Sequence, residues 1–140
     1  MKELHSIKFN ELALRKPLFK KKISPEDISF PVEISFYEDH LLIYRHKRYC
    51  GFGRYRRELL EIWYKDISSC VYNEERKVLC INGTMTSTCY YYEKTGYIEY
   101  KPLVRTVKDA RTSIDMSLTS GMDVVKEIEM YSVIKAFTVV

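Results

Sequence analysis

The sequence predicts a mainly β domain, in which an antiparallel meander of about seven strands closes as a barrel or an orthogonal sandwich capped by a C-terminal α-helix. Three observations predict this fold class. Apolar and polar residues alternate in short segments from Pro31 to Leu118, polar turns separate these segments, and helical spacing begins after Ser120. Strands joined by short turns pair antiparallel, and a long meander has to cover its apolar face and protect its edges.

The composition is that of one globular domain. The chain has 140 residues, of which 46% are hydrophobic and 14% aromatic, with five glycines and four prolines. It is too apolar for a disordered protein and too short for an enzyme with separate substrate and cofactor domains. We divide it into an N-terminal extension, residues 1–30, and a β domain, residues 31–140. In the extension, four apolar residues favour a short helix that ends before Pro17: Ile7, Phe9, Leu12 and Leu14.

The β domain opens with a clear alternation of period two. Val32, Ile34 and Phe36 alternate with polar residues, as a half-buried strand requires. Residues 38–40 then form a tight connection to the next apolar segment. Further strands are predicted at Leu41–Tyr44, Leu59–Tyr64 and Ile67–Tyr72.

The second half of the domain contains the strongest turn signal, Asn82-Gly83. Both residues tolerate the positive φ of a type I′ turn, so we predict a hairpin there, with a polar turn at 73–76 preceding it. Residues 102–111 are polar and are predicted as a loop. The strands predicted around these turns are Lys77–Ile81, Thr84–Tyr92, Tyr97–Tyr100 and a last strand marked by Ile114, Met116 and Leu118.

A helix is predicted at the end of the domain. Ser120 is suited to cap a helix that begins near Met122, and Val124, Ile128 and Tyr131 would share one face of it. We expect this helix to cover an open end of the barrel. Residues 133–140 are rich in β-branched side chains, and the pattern allows them either to finish the helix or to form a short strand.

Three segments carry a resemblance to a known superfold. Val32–Tyr44 matches an opening hairpin, Trp63–Ile67 carries an aromatic-x-Asp-Ile pattern, and Ser120–Phe137 lies where a C-terminal helix would follow. In this order the chain resembles the pleckstrin-homology-like superfold, in particular small bacterial domains akin to PH and GRAM domains. The resemblance spans roughly residues 30–137. It implies a binding module without catalysis, often for lipid head groups or peptides.

The most unusual stretch runs from Arg45 to Arg57 and contains six Lys or Arg residues, three aromatic residues and two glycines. Arginines and backbone N–H groups at a hairpin tip can gather around a phosphate, and the rings can lie against an acyl boundary or stack on bases. The alternative is a solvated hairpin whose arginine stems cover neighbouring rings. The predicted ligand-binding residues are Arg45, Lys47, Arg48, Tyr49, Phe52, Arg54, Tyr55, Arg56 and Arg57.

A second candidate surface is rich in tyrosine. A tyrosine ring supplies contact area and its hydroxyl a polar handle, which suits a protein interface. The alternative is ordinary aromatic pairing between neighbouring strands. The predicted interface residues are Tyr90, Tyr91, Tyr92, Tyr97 and Tyr100.

The charged and catalytic residue types set further expectations. Residues 1–60 carry a net charge of +5 and residues 61–140 a net charge of −1, so we place an electrostatic partner site in the first half. No nucleophilic motif surrounds the three histidines, and no Cys-x-x-Cys pair occurs among the four cysteines. We therefore expect reduced thiols, no catalytic residue, no metal and no cofactor.

From the sequence we expect a non-enzymatic binding or interaction module in the cytoplasm, at most peripheral at a membrane. The basic hairpin would contact an anionic lipid surface or a phosphorylated ligand. One alternative is a small β domain that binds nucleic acid through the same residues. Another is a scaffold that binds a protein partner, or a second copy of itself, through the tyrosine-rich hairpin.

Overall fold

A computed structural model describes residues 2–12, 29–51, 54–93 and 101–140 of the chain, with the backbone alone at 46–51, 54, 92 and 93. These residues form eight strands, a short 3-10 turn and a helix. In chain order they are β1 His5–Leu12, β2 Ser29–Phe36, β3 His40–Gly51, β4 Arg54–Trp63, the turn Tyr64–Asp66, β5 Ile67–Asn73, β6 Val78–Glu93, β7 Leu103–Asp115, α1 Gly121–Ser132 and β8 Phe137–Val139.

The strands form one curled sheet with the shape of a half-barrel. β7 pairs with one edge of β6 from Val78 to Cys89, so β4 and β5 share the opposite edge of that strand. They are therefore two halves of one bent strand, interrupted by the 3-10 turn, and β1 to β7 follow one another as an antiparallel meander. The mainly β fold with a C-terminal helix, predicted from the sequence, is confirmed.

The core fills the concave face of the sheet. Alternate residues of the strands point inward, because side chains on a strand change face at every residue. The helix α1 adds Val124, Val125 and Ile128 to the core, and the ring of Tyr131 stacks on His5 of β1 at 4.4 Å between centroids. The strand residues buried with them include Val32, Ile34, Phe36, Leu41, Ile43, Leu60, Ile62, Cys70, Tyr72, Leu79, Ile81, Met85 and Ile114.

The N-terminal segment is a strand, and the short helix predicted there is wrong for residues 7–12. β1 pairs with β2 along its whole length, from His5 opposite Phe36 to Leu12 opposite Ser29. Ile7 and Phe9 are two residues apart and both pack against the core, which fits the period of a strand and not that of a helix. Pairing with β2 stabilises the strand over the locally favoured helix, because tertiary contacts override local preference. Leu14 lies outside the described residues.

The hairpin predicted at Asn82-Gly83 is also wrong, because both residues lie inside the continuous strand β6. Gly83 is required there for a different reason. A Cβ atom at this position would lie 2.9 Å from the Cα of Ile67 and still closer to the carbonyl oxygen of Asp66. The glycine thus lets β6 approach the 3-10 turn where β4 bends into β5.

The structure corrects one further expectation and resolves another. Residues 103–111, predicted as a loop, belong to β7, and their polar sequence reflects the exposure of this strand. The tail that could be helix or strand is a strand, since α1 ends at Ser132 and β8 pairs parallel to β5. The chain turns at Val133, which has a left-handed φ of 59°. The strand predicted at Tyr97–Tyr100 lies outside the described residues.

Replacing Gly83 by Ala tests the close approach at the bend. We expect Gly83→Ala to lower the free energy of unfolding by about 3 kcal/mol, because the new methyl group collides with backbone atoms that cannot move away. Urea denaturation measures the change. Thr84→Ala, one residue further along β6, is the matched control and should cost much less. Equal losses for the two variants would contradict this role of Gly83.

Replacing Val133 by Gly tests the strain where α1 ends. A β-branched residue with positive φ is disfavoured by roughly 1–2 kcal/mol, part of which glycine gives back through its greater freedom in the unfolded chain. We expect Val133→Gly to raise the free energy of unfolding by about 0.5–1 kcal/mol. Thermal unfolding of the two proteins measures the difference, and a destabilised variant would contradict the expectation.

Candidate functional site

A buried polar cluster closes one end of the core, with Arg45 at its centre. The Nε of Arg45 donates to Glu11 at 2.9 Å and Nη1 donates to Glu58 at 3.2 Å. The remaining donors reach β7, where Nη1 contacts the hydroxyl of Thr112 at 3.2 Å and Nη2 contacts the carbonyl oxygen of Ser113 at 2.9 Å. One guanidinium therefore connects β1, β3, β4 and β7 across the concave side of the sheet. We call these five residues the Arg45 cluster.

The guanidinium of Arg45 and the carboxylate of Glu11 are well shielded from solvent. The side chain of Arg45 is 13% exposed, and Glu11 is 5% exposed. Burial lowers the pKa of Arg45, while the negative charge of Glu58 acts in the opposite direction and the nearby charge of Arg56 adds to the lowering. Two carboxylates and their hydrogen bonds thus balance the cost of burying this cation.

The same cluster brings the outer strands of the meander together. Glu11 Oε2 accepts a hydrogen bond from the backbone N–H of Asp115, and Asp115 Oδ1 accepts one from the N–H of Leu12, both at 3.4 Å. These bonds join the end of β1 to the end of β7. Arg45, predicted as a ligand-binding residue, therefore uses its guanidinium inside the protein.

Beyond the Arg45 cluster, the sheet continues away from the core as an extension formed by β3, β4 and β6. We call residues 46–51, 54–57 and 90–93 the Arg–Tyr arm. β4 and β6 pair here in register, as Arg54 with Glu93, Tyr55 with Tyr92, Arg56 with Tyr91 and Arg57 with Tyr90. The basic and tyrosine-rich surfaces, predicted as two separate sites, are neighbouring strands of one sheet.

Arginine and tyrosine side chains contact one another in the arm. The guanidinium carbon of Arg57 lies 5.4 Å from the centroid of the Tyr90 ring, a cation–π geometry. Directly opposite residues share a face, so Arg56 and Tyr91 lie together on the other side of the sheet. These four side chains and Tyr55 are all half-buried.

The charge of Arg56 has no compensating partner among the described residues. Its Nε is buried without a hydrogen-bond acceptor, and no carboxylate in the described part of the chain forms an ion pair with it. The backbone register places it opposite Arg48 on β3, and Arg45 is close enough for its charge to be felt. Like charges directly opposite one another destabilise a sheet.

For several of the predicted site residues the structure describes the backbone alone. The backbone register places Arg48, Tyr49, Arg54 and Tyr92 in the arm, and Lys47 lies on β3 where the register with β4 shifts. Phe52, Tyr97 and Tyr100 lie outside the described residues, so their predicted roles stay predictions.

Sequence reasoning missed the basic side chains of β7. They lie on the opposite side of β6 from β4, and Arg105 is opposite Ser87. The alternation that marks the other strands is weak in this segment, which is why it was predicted as a loop. The exposed basic residues in and before β7 are Lys101, Arg105, Lys108 and Arg111.

Other reactive side chains in the described residues are held in packed surroundings. His40 Nδ1 lies 2.7 Å from Asp39 Oδ1, and its ring stacks on Tyr37 and contacts Trp63. Burial raises the pKa of the Cys70 thiol to about 11, which keeps this cysteine protonated at neutral pH. Within the described ranges, no three His, Cys, Asp or Glu side chains are grouped as metal ligands. No helix of this part is both long and apolar enough to cross a membrane.

Comparison with protein-family models, with curated proteins and with solved structures finds no match to this chain.

Replacing Arg45 tests the contribution of the buried cluster to stability. Arg45→Met leaves Glu11 and Glu58 buried without their cation, so we expect it to lower the free energy of unfolding by about 3–5 kcal/mol. The triple variant Glu11→Leu, Arg45→Met and Glu58→Leu removes all three charges and should recover most of that loss. Urea denaturation at neutral pH compares the variants. A single variant within about 1 kcal/mol of the parent would contradict this account.

Proposed function

We propose that the protein is a non-enzymatic binding module whose Arg–Tyr arm binds an anionic ligand. Arg56 is the observation that carries the proposal: a half-buried guanidinium whose Nε has no acceptor in the part of the chain that the structure describes, beside two further arginine positions. Leaving a buried charged donor unsatisfied costs free energy. An oxyanion bound by the Arg56 guanidinium would supply a negative partner for this charge and offset the repulsion between the cations.

The described side chains of the arm contribute little to the hydrophobic core, which supports a role in binding. Tyr55, Arg56, Arg57, Tyr90 and Tyr91 are neither in the core nor among the residues packed against it. A sheet extension with cations on neighbouring strands is unfavourable by itself, whereas phosphate oxygens accept two parallel hydrogen bonds from one guanidinium. We therefore infer that the unfavourable placement of cations on neighbouring strands serves ligand binding.

The alternative is that the arginines serve to cover tyrosine rings. The contact of Arg57 with Tyr90 fits that explanation. It supplies no counter-charge for Arg56, which forms no ion pair with the carboxylates of the described residues. Because the tyrosine-rich surface belongs to the same arm, a protein partner or a second copy of the chain would compete with the anionic ligand for it.

Neutralising two cations of the arm tests the proposal. We expect Arg56→Gln with Arg57→Gln to weaken binding to an anionic probe at low salt by at least about tenfold, since hydrogen bonds to charged groups are the strong ones. The probes are vesicles of phosphatidylglycerol with phosphatidylcholine, measured by co-sedimentation, and a fluorescent oligothymidylate, measured by anisotropy.

The matched control carries the same change in net charge elsewhere. Arg76 lies in the turn before β6, at the opposite end of that strand from the arm, and Lys126 lies on the exposed side of α1. Arg76→Gln with Lys126→Gln should leave binding within about twofold of the parent. Two results would each contradict the proposal: no binding of either probe by the parent, or an equal loss in the two double variants.

A further inference from the structure

We propose that the ligand of the Arg–Tyr arm is single-stranded nucleic acid, with bases stacked on tyrosine rings and phosphates held by the arginines. This inference rests on the proposed function and narrows it to one class of ligand. Proteins that bind single strands combine a positive track along the backbone with aromatic side chains on which bases stack. Both components are present together in the arm.

The first supporting observation is the arrangement of rings and cations on one face. Tyr55 and Arg57 are two residues apart on β4, so they lie on the same face roughly 6.8 Å apart. Tyr90 is opposite Arg57 on β6 and carries its guanidinium on the ring. Two rings thus flank a cation, which lets bases stack while a phosphate between them reaches the arginine.

The second observation is that positive charge continues on both sides of β6. β4 contributes Arg57 on the face that carries Tyr55 and Tyr90, whereas Arg56 and the exposed Arg105 of β7, opposite Ser87, lie on the other face with Tyr91. Acidic residues do occur nearby, since Glu93 is registered with Arg54. Each face of the arm therefore combines a tyrosine with a cation that a flexible sugar–phosphate backbone can contact.

The chemistry of the rings separates the candidate ligands. A lipid surface is favoured by aliphatic or phenylalanine side chains that insert below the head groups. The described arm side chains are tyrosines and arginines in contact with one another. Rings that stand on a sheet can stack on splayed, unpaired bases, whereas the bases of a duplex are already stacked. A single strand is therefore the ligand that these residues fit.

The experiment removes two aromatic rings without changing the net charge of the protein. Tyr55→Leu with Tyr90→Leu removes both rings, and Tyr55→Phe with Tyr90→Phe keeps them. We expect the Leu variant to lose at least about fivefold in affinity for fluorescent oligothymidylate, and the Phe variant to stay within about twofold of the parent. Vesicle co-sedimentation should be unchanged in both. Circular dichroism checks that each variant is folded.

A salt titration gives an independent measure that does not depend on the ring variants. The slope of log affinity against log salt for the oligothymidylate should fall by about 1.4 in Arg56→Gln with Arg57→Gln, since each phosphate contact to a single strand contributes about 0.7. The matched duplex should bind more weakly than the single strand at every salt concentration.

The outcomes separate this inference from the proposed function. Binding to anionic vesicles without binding to oligothymidylate would overturn the inference and leave the anion-binding role intact. Oligothymidylate binding that is equally strong in the parent and the Leu variant would also overturn it, because stacking would then contribute nothing. Failure of both probes would overturn the proposed function itself.

Discussion

The rest of the structure depends on the buried guanidinium of Arg45. Its hydrogen bonds hold β1, β3, β4 and β7 at one place, and the bonds of Glu11 and Leu12 with Asp115 join the two outer strands of the meander beside it. A curled sheet of this length leaves two edge strands exposed, and here hydrogen bonds hold β1 and β7 together at one end. On one side of the cluster lies the apolar core, and on the other lies a sheet extension whose described side chains are outside that core.

That division explains why arginines of one segment have unlike roles. Arg45 and Arg56 are eleven residues apart on paired strands, yet the first is satisfied by two carboxylates and the second has a buried Nε without an acceptor among the described residues. The fold accounts for the first cation and does not account for the second. The proposed binding role follows from this difference, since a ligand oxyanion would supply the missing negative partner.

Much of the fold could be predicted from the sequence, because the alternation in β2 and the helical spacing of Val124 and Ile128 are local patterns. The errors arose where long-range contacts decide. β1 depends on pairing with β2, and Gly83 serves a close approach to Asp66, which local turn statistics cannot distinguish from a hairpin. The basic and tyrosine-rich segments are both evident in the sequence, but only the pairing of β4 with β6 shows that they lie next to each other. The partners of Arg45 lie as far away as Ser113 and carry no local signal.

The most direct test of this account follows the NMR signals of the arginine Nε–H groups while unlabelled oligothymidylate is added to the whole protein. The account predicts that the Arg56 Nε–H signal shifts on saturation, because a phosphate oxygen binds the same guanidinium. The Arg45 signal should already be protected without ligand and should stay in place. An Arg56 signal that is unchanged in a saturated complex would contradict the central claim.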